Sequence, residues 1–249
     1  MGLLLDFVPN HMGINGPFNA WWLDVLECGK NSPYAQFFDI HWNPHQGSDR
    51  ILVPMLEDHY GLVLEKGSLV LTVAQGSFQI SHGETRFPIR PESYPRLLGH
   101  AAEKAEADSA ERTQLASLAA EFAALPQPSA PDREEQKQER AHARRCLQQR
   151  LHQLLESSLA AANAVADHLA EINGTPGTPR SFDALDRLLD EQHYRLARWK
   201  TGAHETNYRR FFAIDTLVGL RMERDEVFQE SHGRLGKLAC RQQPQPWSR

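Results

Sequence analysis

The sequence predicts an α/β chain in which a strand-bearing start is followed by a long, mainly helical middle segment. Three observations predict it. Gly2 to Val8 is almost continuously apolar, the pattern of a strand buried on both faces of a parallel sheet. From about residue 96 to residue 172 the chain is rich in Ala, Leu, Glu, Gln and Arg, with apolar residues at helical spacing. From Asn173 onward the aromatic, mixed character of the first 95 residues returns.

The elements follow in order. The first strand should end at Pro9, which has no N–H to give a ladder. The next stretch reads as loop with aromatic clusters at Trp21-Trp22, Tyr34, Phe37-Phe38 and Trp42. Leu69–Val73 and Ser77–Ile80 suit a hairpin turning at Gln75-Gly76. Leu115, Leu118, Phe122 and Leu125 mark a helix that Pro126, Pro128 and Pro131 end. A second long helix should start near Asp132 and run to Asn173-Gly174, its apolar stripe passing through Leu147, Leu151, Leu154, Leu155, Leu159, Val165 and Leu169. Its first half is nearly all charged or amide and should stand in solvent, and the two helices should form an antiparallel hairpin over about residues 101–172. Gly174 suits a left-handed cap. A third helix, Phe182–Gln192, has Ser181 as its natural N-cap. Tyr194–Trp199 alternates like a strand. Residues 233–249 carry basic but no acidic residues and no clear period, and read as a disordered or frameshifted tail.

Composition excludes several classes. The 27 basic and 32 acidic residues give a net charge of −5, which argues against a sequence-independent nucleic-acid partner. No apolar run approaches the roughly 20 residues that a membrane span needs. Three distant cysteines without CxxC argue against a disulfide scaffold and suit a reducing cytoplasm. The length falls near that of one (β/α)8 barrel. No GxGxxG, P-loop, HExxH or GxSxG occurs.

The strongest local signal is Asp6-Phe7-Val8-Pro9-Asn10-His11, because the carboxyl ends of parallel strands line active sites. Asp6 needs a partner if buried, and His11 and Asn10 can hydrogen-bond a ligand hydroxyl; a capped turn with a surface histidine explains the same residues. His41 and His45 are four apart, but Pro44 argues against a shared helical face for a metal. Trp21, Trp22, Tyr34, Phe38, Trp42 and Tyr60 can stack on sugar rings or form small cores under long loops. Arg209-Arg210 can bind an anion or pair with a carboxylate such as Asp215.

Asp6–His11 resembles the first conserved region of the alpha-amylase superfamily, glycoside hydrolase family 13. Trp21–Glu27, Ser32–Ile40, Phe87–Pro91, Ile172–Gly177 continuing through Arg180–Leu185, Asn207–Phe212 and Gly219–Arg221 resemble the maltooligosyl trehalose synthase family within it, over about residues 1–232. The resemblance implies residues 1–12 at the third strand of a (β/α)8 barrel, an inserted subdomain over 13–205 and a return toward the barrel over 206–232. It implies a cytoplasmic isomerase of trehalose biosynthesis that converts the reducing-end α-1,4 linkage of a maltooligosaccharide into an α,α-1,1 linkage. The retaining mechanism implied uses two carboxyl groups, with no cofactor and no metal, in an enzyme that is a monomer. Substrate binding by His11 and Asn10 and support of the site by Asp6 and Arg210 are implied; calcium, held at the Asn10 position in many amylases, is not carried over. The family's nucleophile and acid/base motifs do not occur among the 249 residues, so the chain is expected to be inactive. Ala213 stands where relatives usually carry Asp. An alpha-amylase-type hydrolase fragment and a non-enzymatic helical interaction module are the alternatives.

Overall fold

The strands are β1 (His11–Gly13), β2 (Ile51–Leu56), β3 (Val70–Ala74), β4 (Ser77–His82), β5 (Thr85–Pro88), β6 (Tyr194–Arg198), β7 (Arg210–Phe211) and β8 (Ile214–Gly219). The helices are α1 (Ala20–Cys28), α2 (Tyr60–Glu65), α3 (Tyr94–Lys104), α4 (Ala110–Ala123), α5 (Glu134–Ser157), α6 (Leu159–Asn173), α7 (Asp183–Asp190), α8 (Gly202–Glu205) and α9 (Asp225–Arg241). This computed structural model describes residues 8–14, 19–42, 49–126 and 134–241, with side chains described to residue 233.

The strands among the described residues form three small sheets. β1 and β7 flank β8 antiparallel, β2 and β6 pair in parallel, and β3-β4-β5 is an antiparallel meander. Between the neighbouring strands β2 and β6 the chain makes the whole meander and helices α2 to α7. Phe78 and Ile80 of β4, Tyr94, Leu97 and Leu98 of α3, Leu118 and Phe122 of α4 and Val165 and Leu169 of α6 join one continuous apolar core. The predicted hairpin is present, with Gln75 and Gly76 both at positive φ. A Cβ on Gly76 would strike the Gln148 carbonyl of α5, so glycine serves both the turn and the close approach.

Asparagine side chains tie the sheets to their surroundings. The Asn173 amide accepts from Leu71 N at 2.6 Å and donates to Leu71 O at 3.0 Å, replacing a missing neighbour on β3. Asn207 accepts from Leu52 N at 3.0 Å and donates to the Arg50 and His41 carbonyls, joining β2 to the turn before β7.

Several expectations change. No closed barrel is present among the described residues. Most of the predicted first strand lies outside them; Val8 is described, exposed and not in a strand. His11, expected in a loop, begins β1, because β8 supplies an antiparallel edge with His11 opposite Gly219. The long helix from Asp132 is two helices, broken at Ser158, whose Oγ accepts from Ala161 N at 3.2 Å and caps α6. The antiparallel pairing is retained: Arg140 reaches Pro126 O, Arg150 reaches Glu121 and Ser158 reaches Glu111. The charged first half of α5 stands in solvent on one face alone: Glu135, Gln138, Glu139, His142 and Arg145 are exposed, but Lys137, Arg140, Arg144 and Gln148 are buried. Ser181 does not cap α7; a 3-10 turn, Pro179–Phe182, precedes that helix, and Ser181 Oγ instead accepts from Thr175 N at 2.7 Å. Helix α9 runs through the predicted tail to Arg241, and residues 242–249 lie outside the described part.

Candidate functional site

The three-stranded sheet carries the described residues that the sequence singled out for binding. Asn10 is exposed just before β1, and its backbone carbonyl accepts from Leu220 N at 2.9 Å. Its side-chain Oδ1 lies 2.8 Å from His11 Nδ1, which fixes the imidazole orientation. The imidazole stacks on Phe211, with centroids 3.8 Å apart and planes 9° from parallel. Phe212 packs edge-on against Phe211 and is 80% exposed. It sits in the two-residue turn between β7 and β8 with φ +54°, a left-handed conformation that costs a bulky residue about 1–2 kcal/mol. His11 and Phe211 thus join an imidazole and an aromatic ring beside a second, exposed ring. That combination suits a sugar, which offers a flat apolar face and a rim of hydroxyls.

Arg210 supports this face. Its guanidinium pairs with the Asp215 carboxylate and donates to Ala203 O at 3.3 Å. Tyr208 OH donates to Asp215 O at 2.8 Å, and burial, followed by the Asp215 charge, pushes its phenol well above the usual range. Gly202 of α8 lies against the Asp215 carboxylate, so closely that a Cβ would collide with it. Asp215 is therefore committed to Arg210 and to the packing of α8. Beneath it Trp22 packs edge-on against Phe38 and Tyr208.

Asp6 and His45 lie outside the described residues. The aromatics expected on loops divide: Trp21 and Trp22 lie on helix α1 and Tyr60 begins α2; Trp22 and Phe38 are core, Trp21, Tyr34 and Phe37 pack on one another, and Tyr60 OH donates to Asp186 at 2.7 Å.

A second polar cluster, missed in the sequence, joins α1 to α5. Arg144 is 3% exposed and pairs with Asp24, with Glu27 at 3.0 Å, and with the Cys28 thiol. Burial opposes its charge, but Glu27, Cys28 and Asp24 outweigh that and hold it more firmly protonated than usual. Gln148 donates to Glu27 at 2.7 Å, and Arg140 pairs with Glu92 at 2.5 Å. Burial raises Glu27 to about 7 despite Arg144, and burial raises the Cys28 thiol as well. Ligand atoms of Asp24, Glu27 and Cys28 lie within 4.8 Å of one another, a spacing a metal could use. The Arg144 guanidinium already supplies the positive charge there, so this is an ionic clamp. Two arginines and a glutamine four apart (Arg140, Arg144, Gln148) facing acids three apart (Asp24, Glu27) were its available signal.

No protein-family model matches the chain. Two strains of Mycobacterium tuberculosis carry a protein assigned as a maltooligosyl trehalose synthase that is 45% identical over 86 residues, 31% of this chain and 11% of that protein. The chain is similar to one part of the maltooligosyl trehalose synthases. The solved maltooligosyltrehalose synthase of Arthrobacter ramosus superposes on 97% of the chain with a TM-score of 0.50 and 25% identity. A mutant of that synthase gives the same TM-score at 26% identity. The chain covers 19% of each synthase chain, so the likeness is to a fragment.

Proposed function

We propose that the chain is the segment of a maltooligosyl trehalose synthase that carries part of the sugar-binding face and an inserted helical subdomain over residues 13–205. The single observation that carries this reading is the 45% identity to the Mycobacterium tuberculosis protein. The stacked His11–Phe211 pair supports it. In this reading the segment belongs to the alpha-amylase superfamily, glycoside hydrolase family 13, with residues 1–12 and 206–232 contributing to a (β/α)8 barrel, and it works in the cytoplasm.

The substrate is a maltooligosaccharide. His11 donates an imidazole N–H to a glucosyl hydroxyl, and Asn10 fixes the ring that does so. Phe211 and Phe212 offer apolar faces, Arg210 and Asp215 hold β7 against β8, and Asp6 supports the same end. The reaction is an intramolecular transglycosylation from an α-1,4 to an α,α-1,1 linkage, by double displacement with two carboxyl groups. The chain does not carry the motifs that supply them, so by itself it binds and positions sugar without turnover. One carboxylate is needed to attack the anomeric carbon and a second carboxyl, in its acid form, to protonate the leaving oxygen, and Asp215 is already paired with Arg210.

Incubating the purified chain with maltopentaose tests both parts. Expected are saturable binding by calorimetry, weakened by His11→Ala, and no trehalose-ended product. Release of reducing sugar would point to a hydrolase, turnover of either kind would overturn the proposed inactivity, and binding unchanged by His11→Ala would remove the assigned sugar contact.

A further inference from the structure

Three helices converge on one cavity of about 270 Å³. Arg96 and His100, one turn apart, enter it from α3, His168 from α6 and Arg187 from α7, with Glu191 just beyond α7; the rest of the wall is apolar. The charges there are unequal. Glu191 is the one carboxylate in the described lining, and Arg96 holds it through hydrogen bonds of 2.7 and 2.8 Å, with Arg90 3.8 Å away. Arg187 donates through Nε to Asp183 O at 3.1 Å within its own helix and makes no ion pair among the described residues. Outside the lining, Glu103 lies 3.3 Å from His100, and Glu171 is paired with Lys104. The cavity thus holds one guanidinium in excess of its carboxylates, beside two imidazoles that can add charge.

His168 is the unexplained member. It is 8% exposed, its ring lies 5.4 Å from that of His100, and neither of its nitrogens makes a hydrogen bond among the described residues. Its Nδ1 has Glu171 Oε2 as an ion-pair partner at 3.9 Å, and Nε2 has none. Buried polar groups are normally bonded to protein or water. With the Nδ1 proton toward Glu171, Nε2 is the atom left for a ligand, and once protonated it donates.

We propose that this cavity binds a phosphoryl group, held by Arg187, His168 and His100. A tetrahedral dianion presents acceptors in several directions, which suits donors arriving from three helices, and the guanidinium fork matches phosphate. A cation would meet Arg187 as a like charge. His168 faces His100, Glu103 and Lys104 from α3, Glu171 from its own helix, and Arg187 and Glu191 from across the cavity. Burial, followed by His100, holds its pKa below the usual imidazole range. An anion at Nε2 favours the imidazolium instead, so binding takes up a proton. Free phosphate and a small sugar phosphate carry the same group. The site shares no residue with the proposed sugar face, so it stands or falls independently of that reading.

Calorimetry on the 249-residue chain, with chloride holding the ionic strength constant, tests the proposal. Inorganic phosphate should bind as one saturable equivalent. Arg187→Ala should weaken it by on the order of 10-fold or more, and Arg187→Lys should recover part of the loss. Sulfate remains a dianion between about pH 6 and 8, so its affinity should rise as pH falls through that range, less steeply in His168→Gln. Glucose 6-phosphate binding more tightly than phosphate would assign the sugar ester, and weaker binding would assign the free ion. Arg187 is exposed, so its variants decide the matter even where His168→Gln does not fold. No saturable equivalent, an affinity that Arg187→Ala leaves unchanged, or sulfate binding independent of pH would overturn the proposal.

Discussion

Arginine meets carboxylate in two regions of this molecule, with different consequences. At Arg144 the guanidinium and both carboxylates are nearly sealed from water, and α5 is bound to α1 through charge. At Arg210 the pair with Asp215 is about one-fifth exposed and trims a small sheet whose neighbours are aromatic. Desolvation separates them. A buried charge that loses its partner has no water to replace it, whereas a partly exposed one recovers hydration. The first region is consequently a fixed structural joint. The second can present exposed Phe212 and the His11 imidazole to a ligand.

The largest effect should come from Arg144→Met, which leaves Asp24 and Glu27 buried together without their cation. Urea melts are expected to show a loss of about 3–5 kcal/mol, and a loss below 1 kcal/mol would erase the contrast with Arg210. The pH dependence sharpens the same point. Glu27 titrates near 7 in the folded chain against 4.5 ordinarily. The folded state then holds more protons than the unfolded state between those values, so stability falls as pH rises through that window and levels off above it. At about 1.4 kcal/mol per unit the group costs roughly 3 kcal/mol, and Glu27→Gln should flatten that part of a melting-temperature profile.

Smaller effects belong to the contacts that brace two of the sheets. Gly202→Ala forces a methyl group into Asp215 and should cost about 1–3 kcal/mol in denaturant melts. Asn173→Ala leaves Leu71 N–H and C=O without their partners, and a loss of about 1–3 kcal/mol is expected. Smallest of all, Arg209→Ala removes an exposed contact 3.8 Å from Asp39 and should stay within about 0.5 kcal/mol. A larger loss there would show that exposed and buried pairs in this chain do not differ as described.

Local patterns were legible where chemistry is local. The hairpin at Gln75-Gly76 follows from its turn residues, the end of α4 from Pro126, and strand β6 from alternation at Tyr194–Arg198. The motifs Asn173-Gly174 and Asn207–Phe212 pointed to the proteins that the chain is similar to in part, and the structure adds what those asparagines do: each replaces a strand neighbour through its side-chain amide. His11 was legible as a hydrogen-bonding residue after a strand, yet its stack on Phe211 joins residues far apart in sequence.

The sequence by itself determined the helical middle segment, the turns and the family resemblance, because periodicity, proline, glycine and short motifs act within a few residues. Only the tertiary structure decided that β1 runs antiparallel to β8, that Ser158 splits the long helix, and that one charged face of α5 is buried. A run of Arg, Glu and Gln carries the same local signal on a solvated helix as on a buried one. What reverses its meaning is the presence of Asp24, Glu27 and Glu92 on distant elements, which complete the charges that water would otherwise have to solvate.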